Sequence, residues 1–287
     1  MKKVSIVLPT YNGERYIKES IRSCLDQTYN NLELIVVDDA SSDRTSQIID
    51  SFSDKRITYI KNKRNKGLPE ALNRGFAVSS GEYLTWQSDD NIFDLKAIST
   101  MVGTLEKNQG IDFVYASHYI INKKGDVIGR RKTVSPKILE RYNCVGPCFL
   151  YRRTVYEQVG GFDPEFFLTE DYEYWLRVKS KFKLQKLDTF LCYYRLHEDS
   201  LTSQHQITKI EEQMGKVSSK HISSLSIKHY HEGKLLFYKK DYVGAKKILV
   251  KSLFHEPFNS DTWKLLMFSF LSMVSPTIAK KIKKIRE

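Results

Sequence analysis

The chain has 287 residues, of which 41% are hydrophobic and 28% charged, and its net charge is +12. This composition excludes a disordered protein, and the length suffices for one large domain and an appendage. The charge is uneven, because residues 205–287 carry +9 of it, with 16 basic and 7 acidic side chains. We expect an anionic surface as the partner of this segment and no nucleic acid, because no nucleic-acid motif accompanies the lysines.

The cysteines and the N-terminus both indicate a reducing location. The four cysteines lack the spacing of a metal site and are interpreted as buried free thiols; they are Cys24, Cys144, Cys148 and Cys192. The apolar run at residues 4–8 is far too short for a signal peptide or a membrane span. We therefore expect a cytoplasmic protein.

Strand and helix patterns alternate over the first ninety residues. Apolar runs predict strands at residues 4–8, 32–37, 57–60 and 83–86. Amphipathic spacing predicts helices between them at residues 14–27, 41–52 and 68–78. Such alternation is typical of a mostly parallel α/β sheet with helices on both faces, whose ligands bind at the carboxyl ends of the strands. Four segments are therefore candidate site regions: 9–13, 38–43, 61–67 and 87–91.

The alternation is lost further along the chain. After a predicted helix that ends near residue 107, strands are expected at 113–121, 127–131, 148–151 and 190–195, and helices at 154–159 and 170–179. Beyond residue 204 the pattern is helical throughout. We therefore expect a domain of residues 1–204 and a helical extension of residues 205–287.

The helical extension combines three features. Small and large residues between 233 and 257 match one tetratricopeptide-like helix pair. An apolar run follows at 263–274, and residues 276–287 form a basic amphipathic tail. Either the tail docks on the anionic inner face of the cell membrane, or the apolar run only packs on the helix pair while the lysines are solvated.

Carboxylates follow two of the predicted strands. Asp38 and Asp39 could accept a hydrogen bond from a nucleobase, or serve as a helix N-cap. Asp89 and Asp90 leave a buried strand together and repel each other unless a cation or strong donors compensate them. Oxygen ligands of this kind suit Mg²⁺ or Mn²⁺, ions that also bridge phosphate oxygens.

Three further segments have both a functional and an ordinary interpretation. The turn at residues 9–13 could present backbone amides and the Tyr11 ring to a nucleoside, or be a plain turn. Glu170 and Asp171 open a helix, where the dipole favours acids whatever their function. His197 follows the last strand and is either a surface histidine or a ligand.

In their order along the chain, these segments resemble the motifs of family 2 glycosyltransferases, which have the GT-A fold. The matches are SIVLPTYN at 5–12, VVDDASSD at 36–43, NKG at 65–67, SDD at 88–90, GGFD at 160–163, TED at 169–171 and YRLH at 194–197. The resemblance spans residues 3–203 and implies a Rossmann-like nucleotide-binding sheet. It also implies metal-assisted, inverting transfer of a sugar from a nucleotide diphosphate, preferably UDP, to a glycan or lipid-linked saccharide in cell-surface polysaccharide synthesis.

The resemblance further implies roles for individual residues. The nucleoside and its phosphates would contact Pro9, Thr10, Tyr11, Asn12, Asp39, Asn65, Gly67 and Asp89. Asp90 and Asp89 would hold Mn²⁺ or Mg²⁺, with His197 as a further metal or phosphate contact. Asp171 would be the catalytic base, and Glu170 would position the acceptor.

Two departures from the family pattern have consequences. Gln87 stands where many relatives have an acid, so we expect weaker metal binding. The motif of processive synthases is missing after Asp171, which favours the addition of one sugar per encounter.

Two alternative functions fit the sequence less well. Nucleotidyl transfer would require a Gly-rich basic loop after the first strand, and residues 9–13 are not one. A non-catalytic scaffold is disfavoured because the acidic residues of all the motifs are intact.

Overall fold

The computed structural model describes residues 1–204 and 207–274. These residues divide into two compact units, Met1–Ser200 and a second unit that begins at Leu201. The first unit contains a sheet covered by helices, and the second contains helices only. This is the α/β fold with a C-terminal helical extension that the sequence predicts. The tail at 276–287 lies outside the described residues.

A nine-stranded sheet forms the centre of the first unit. Its strands are β1 (Val4–Thr10), β2 (Leu32–Asp38), β3 (Ile57–Lys61), β4 (Tyr83–Trp86), β5 (Ile92–Phe93), β6 (Phe113–Ile121), β7 (Val127–Arg131), β8 (Phe149–Arg152) and β9 (Leu184–Arg195). They lie in the order β3-β2-β1-β4-β8-β6-β9-β5, and β7 pairs with β6. The first four are parallel, whereas β8 is antiparallel to both β4 and β6. The carboxyl ends of β1, β2 and β4 therefore meet at one edge.

Helices cover both faces of this sheet. They are α1 (Ile17–Leu25), α2 (Thr45–Asp50), α3 (Leu68–Val78), α4 (Ala97–Lys107), α5 (Arg153–Val159) and α6 (Glu170–Lys181). On one face, Ile6 and Val36 pack with apolar residues of α1 and α4 in the main core. On the other, α3 lies so close to β1 that a Cβ at Gly75 would collide with Val7. Glycine at this position permits the close approach of helix and strand.

One strand of the sheet, β5, was not predicted, and β9 was predicted only in its second half. β5 has two residues and pairs with β9, and the first half of β9 has half-buried and exposed residues that pair in parallel with β6. Both are held by distant partners and carry no apolar run of their own. The thiol prediction holds for three cysteines, while Cys144 is only half-buried and, like the others, forms no disulfide.

The second unit contains α7 (Leu201–Gln204), α8 (Ile207–His221), α9 (Leu225–Tyr238), α10 (Tyr242–His255) and α11 (Ser260–Val274). α9 and α10 pack closely, since a Cβ at Gly233 would collide with Leu249. These two helices span most of residues 233–257, for which the sequence predicts a tetratricopeptide-like pair. α11 packs on α10, with Leu265 and Ser269 buried. Among the described residues, no helix is both long and apolar enough to cross a bilayer.

Candidate active site

The turn after β1 is tied to the end of β2. Asp39 donates its backbone N–H to the carbonyl of Thr10 at 2.8 Å, and the N–H of Asn12 donates to Ser41 Oγ at 2.9 Å. Asn12 adopts a left-handed conformation with φ of 55°. Pro9 and Thr10 are buried, whereas Tyr11 and Asn12 are exposed beyond the strand end. Within the predicted nucleoside contacts of this turn, only Tyr11 and Asn12 present exposed side chains.

Asp38 is fully buried and serves the fold. Its carboxylate accepts hydrogen bonds from Ser41 N at 2.7 Å, Ser46 Oγ at 2.9 Å and Tyr59 Oη at 3.0 Å. Burial alone would raise the pKa of Asp38, but these hydrogen bonds outweigh it and lower the pKa below its usual value. The helix that follows begins at Thr45, so Asp38 stabilises the turn before it rather than capping the helix.

Asp39 joins β2 to the loop before α3. Its carboxylate accepts hydrogen bonds from Asn62 Nδ2 at 2.6 Å, Lys66 N at 2.9 Å and Gly67 N at 2.7 Å. Gly67 has a φ of 87°, where a side chain would be strained. A carboxylate has about four acceptor positions, so Asp39 retains capacity for one more donor.

The predicted pocket residue Asn65 and the unpredicted Asn62 have different positions. Asn65 is exposed, and its Oδ1 accepts the N–H of Gly67 at 3.0 Å. Asn62 is buried against Asp39. No role is predictable for Asn62 from the sequence, because its only signal is its place directly after a strand that ends beside Asp38.

Asp89 lies at the carboxyl end of β4, beside the turn after β1. Its Oδ2 accepts the hydroxyl hydrogen of Thr10 at 2.5 Å. Burial and the neighbouring Asp90 charge raise the pKa of Asp89. A Cβ at Gly13 would collide with both Asp89 and Thr10, so this glycine leaves room for the carboxylate. Thr10 therefore does contact the predicted diphosphate and metal region, through Asp89.

Asp90 pairs with His197, a residue more than one hundred positions away. His197 Nε2 lies 2.9 Å from Asp90 Oδ2, and the His197 ring packs 4.9 Å from that of Tyr16. His197 Nδ1 is buried and forms no hydrogen bond. Since the His197 side chain is only 6% exposed, the interpretation of His197 as a surface histidine is wrong.

Arg195 fixes the loop that carries Asp90. Its Nε donates to the carbonyl of Asp90 at 2.9 Å, and its backbone N–H donates to Asn91 Oδ1 at 2.9 Å. The buried guanidinium forms an ion pair with Glu19 at 2.6 Å and lies over the Tyr16 ring. Arg195 falls within a sequence motif, but its role is not predictable from the sequence because its partners lie on distant segments.

The residues around Asp90 fit a divalent cation only as a partial ligand set. Among the described residues, no three His, Cys, Asp or Glu side chains form a complete metal site. Asp89 and Asp90 nevertheless have no Lys or Arg ion-pair partner within the described chain. Mg²⁺ typically uses one or two protein carboxylates and takes its other ligands from water and substrate phosphates. The geometry therefore suits a cation shared with a diphosphate.

Glu170 and Asp171 begin α6 and differ in exposure. Glu170 is 5% exposed, and its Oε2 forms no hydrogen bond. Asp171 is partly exposed and accepts hydrogen bonds from Asn143 Nδ2 at 2.7 Å and Tyr172 N at 2.6 Å. Burial raises the pKa of both carboxyls, and the Asp171 charge raises that of Glu170 further. Asp171 is thus the one of the two that an acceptor can reach.

The GGFD turn anchors the start of α6. Asn73 on α3 bonds both the N–H and the carbonyl of Phe162, at 2.8 and 2.7 Å. From α6, Arg177 donates to the carbonyls of Val159 and Gly161, each at 2.8 Å, and pairs with the buried Glu173. These bonds fix the helix whose first turn carries Asp171.

The fold and the acidic residues at its strand ends define a glycosyltransferase of the GT-A fold. The family model described as glycosyl transferase family 2 matches residues 5–169. The chain therefore belongs to glycosyl transferase family 2 and is an enzyme of the transferase class. The resemblance seen in the sequence is confirmed.

Relatives and solved structures agree with this assignment. The chain is 34% identical over 207 residues to WfgD of Escherichia coli, a UDP-Glc:alpha-D-GlcNAc-diphosphoundecaprenol beta-1,3-glucosyltransferase, covering 70% of this chain and 79% of WfgD. S. aureus TarS in complex with UDP-GlcNAc has a TM-score of 0.65 at 16% identity, covering 96% of this chain and 82% of that one. The mannosyltransferase PcManGT of Pyrobaculum calidifontis, in complex with GDP-Man and Mn²⁺, has the same TM-score and identity, covering 97% and 82%. The chain covers only 34% of the length of an uncharacterised Rickettsia conorii glycosyltransferase that it matches.

Proposed function

We propose that this enzyme transfers one sugar from a UDP-sugar to a hydroxyl of a diphosphate-linked, lipid-borne saccharide, with inversion at the anomeric carbon. The observation that carries the proposal is the Asp89–Asp90 pair, two adjacent carboxylates that no described Lys or Arg neutralises. The binding of UDP-GlcNAc by TarS and the acceptor in the name of WfgD support the choice of substrates. The reaction would serve cell-surface polysaccharide synthesis.

The donor would lie at the carboxyl ends of β1, β2 and β4. Tyr11 and Asn12 have exposed side chains there, and Asp39 retains one acceptor position for a uracil N–H. A Mn²⁺ or Mg²⁺ ion held by Asp90, Asp89 and His197 would neutralise charge that develops on the departing diphosphate. Thr10 and Arg195 keep the two carboxylates in place through the bonds described above.

Asp171 would act on the acceptor. As the acceptor oxygen bonds to the anomeric carbon, Asp171 takes its proton and the bond to the diphosphate breaks, so that UDP leaves from the opposite face. Asn143 and Tyr172 N fix the Asp171 carboxylate. Its raised pKa makes it a stronger base than an ordinary aspartate.

The test combines donor binding with turnover. Thermal shift across UDP-, GDP- and dTDP-sugars identifies the donor, and release of the nucleotide is then measured in Mn²⁺ and in excess EDTA. We expect stabilisation by a UDP-sugar and turnover only with metal. Absence of turnover with every donor overturns the proposal, full activity in EDTA overturns the role of the metal, and a product with retained configuration overturns the single displacement.

We also propose that the helical unit docks on an anionic membrane surface. An outer face of α10 presents Val243, Lys247, Val250, Lys251 and Phe254 to solvent. Phe254 is 86% exposed, and Phe258, in the turn to α11, is 96% exposed. Aromatic side chains beside lysines suit the interface of a bilayer, and the +9 charge of residues 205–287 suits anionic headgroups.

Vesicle co-sedimentation tests the docking. The full chain is expected to bind anionic but not neutral vesicles, with binding weakened by salt. Deletion of 276–287 and the exchange Phe254→Ser with Phe258→Ser are each expected to weaken it. The control is the exposed Val127→Ser on the sheet unit. If both variants sediment like the full chain, the docking proposal is overturned, and packing on the helix pair remains as the explanation of the apolar run at 263–274.

A further inference from the structure

A cavity of about 350 Å³ opens beside the predicted catalytic base. It is lined by β6, by the end of β7 and by the segment that follows, and Asn143 is among its lining residues. The same Asn143 donates its Nδ2 hydrogen to Asp171. Only Asn143 therefore separates a ligand in this cavity from the Asp171 carboxylate. The elements that carry the donor-side residues Asp39 and Asp90 do not line the cavity.

The polar lining of the cavity is cationic or neutral. Arg131 and Lys132 both line it, and no acidic side chain does. Within the described residues neither forms an ion pair; Asp188, the carboxylate that interacts electrostatically with Lys132, is paired with Lys186 at 2.6 Å. These two positive charges are therefore available to an anionic group of a ligand.

His118 supplies a buried polar atom in the same cavity. The residue is 7% exposed, and its Nδ1 forms no hydrogen bond. Burial, and to a lesser degree Arg131, lowers the pKa of His118 to about 4, so its imidazole is neutral at pH 7 and able to donate to an oxygen. Gly146, with a φ of 70°, passes the ring so closely that a Cβ would stand 3.4 Å from Nδ1. A buried polar atom of this kind gains from a ligand that completes its hydrogen bonding.

We propose that this cavity binds the phosphate-bearing part of the saccharide acceptor, with Arg131 and Lys132 on the phosphate oxygens, His118 Nδ1 on a ligand oxygen, and the acceptor hydroxyl at Asp171. The inference rests on the proposed function, since it assigns the acceptor of that same reaction. Cationic side chains bind phosphate oxygens through charge-assisted hydrogen bonds, which neutral sugars do not offer. The cavity thereby selects glycosyl phosphates and diphosphates over neutral glycosides.

The test is equilibrium binding to the full chain in EDTA, which removes the metal that a diphosphate at Asp89 and Asp90 would need. The probes share one sugar and one alkyl chain: undecyl-diphosphate-N-acetylglucosamine, the corresponding monophosphate diester and the neutral undecyl glycoside. We expect the two phosphate-bearing probes to bind about tenfold or more tightly than the neutral one. The double variant Arg131→Gln with Lys132→Gln is expected to bind the phosphate-bearing probes about ten- to hundredfold more weakly and so to lose that preference.

The matched control is Lys123→Gln with Lys124→Gln, which removes two exposed charges from the β6–β7 turn outside the cavity. It is expected to change binding by less than about twofold. Equal binding of all probes, no binding of the phosphate-bearing probes, or equal losses in the two double variants would overturn the inference. Failure of the transferase proposal is separable, because it would be seen as absent UDP release in Mn²⁺ while the probe preference persists.

Discussion

Two pairs of adjacent aspartates follow strands that flank β1, and their surroundings are opposite. Asp38 and Asp39 at the end of β2 together accept six hydrogen bonds from the protein. At the end of β4, the Asp89 carboxylate has one hydroxyl as its hydrogen-bond partner, and the Asp90 carboxylate has one imidazole. The pKa of Asp38 is lowered by its hydrogen bonds, while that of Asp89 is raised by burial and Asp90. The same dipeptide thus has its hydrogen bonds satisfied by the fold in one place and has few protein partners in the other.

This contrast separates loss of stability from loss of function. Removing a carboxylate that the protein has satisfied leaves its donors unpaired and weakens the fold. Removing one that lacks partners costs the fold little, but deprives the reaction of its charge. Glu170 on α6 resembles Asp89, because burial raises its pKa and its Oε2 forms no hydrogen bond.

The largest effect is expected from Asp90→Ala. Turnover in Mn²⁺ should fall by about a thousandfold or more, since the metal would lose its main ligand and several kcal/mol of transition-state stabilisation. The fold should survive, as Asp90 gives up one hydrogen bond. UDP release measures the turnover, and circular dichroism measures whether the variant is folded. Asp126→Ala, in an exposed turn, is the control. If the variant is unfolded, Asp90 is needed for the fold, as Asp38 and Asp39 are, and the prediction is wrong.

Asp171→Asn is expected to lower kcat by about a hundredfold or more, the usual scale for losing a general base. Affinity for the UDP-sugar should stay nearly unchanged, because the donor-side residues lie on other elements. Steady-state kinetics together with titration calorimetry of the donor distinguish the two quantities. A collapse of donor affinity with kcat preserved would make Asp171 a binding residue.

Asp38→Asn tests the satisfied pair. The variant should lose about 1–3 kcal/mol of unfolding free energy at pH 7, because buried donors lose a charged acceptor. Since the folded pKa of Asp38 is depressed, its contribution is present above its unfolded pKa and lost as pH falls through the folded pKa. Urea unfolding of both proteins should therefore converge at acid pH. An equally stable variant at pH 7 would contradict the assignment of Asp38 to the fold.

Glu170→Gln should have the smallest effect of the four variants, and it should raise the stability of the fold rather than lower it. Because the folded pKa of Glu170 is raised, its stabilising contribution is present below the unfolded pKa and lost as pH rises through the folded pKa. The variant should gain a few degrees in Tm over the wild type at pH 9 and almost none at pH 5. A Tm difference independent of pH would argue that the carboxyl is not strained by burial.

The sequence by itself determined the local elements and the order of the acidic motifs. α3, β4, β6 and β7 have the bounds that periodicity and turn residues predict, because those signals lie within each segment. The acidic pairs were also evident, since carboxylates after apolar strands need compensation wherever the strands lie. The family resemblance then followed from short motifs in a fixed order.

Only the tertiary structure decided which of these residues have partners. The Asp90 carboxylate lies beside His197, and the Asp90 carbonyl accepts a hydrogen bond from Arg195. Arg195 in turn forms an ion pair with Glu19, 176 positions away. Asn143 reaches Asp171 from a loop with no motif of its own, and the cavity behind it combines β6, β7 and that loop. Such contacts depend on strand order and loop packing, which act between distant segments and leave no periodic pattern in the chain. For the same reason the protein donors to each of the two Asp-Asp dipeptides could be identified only in the folded structure.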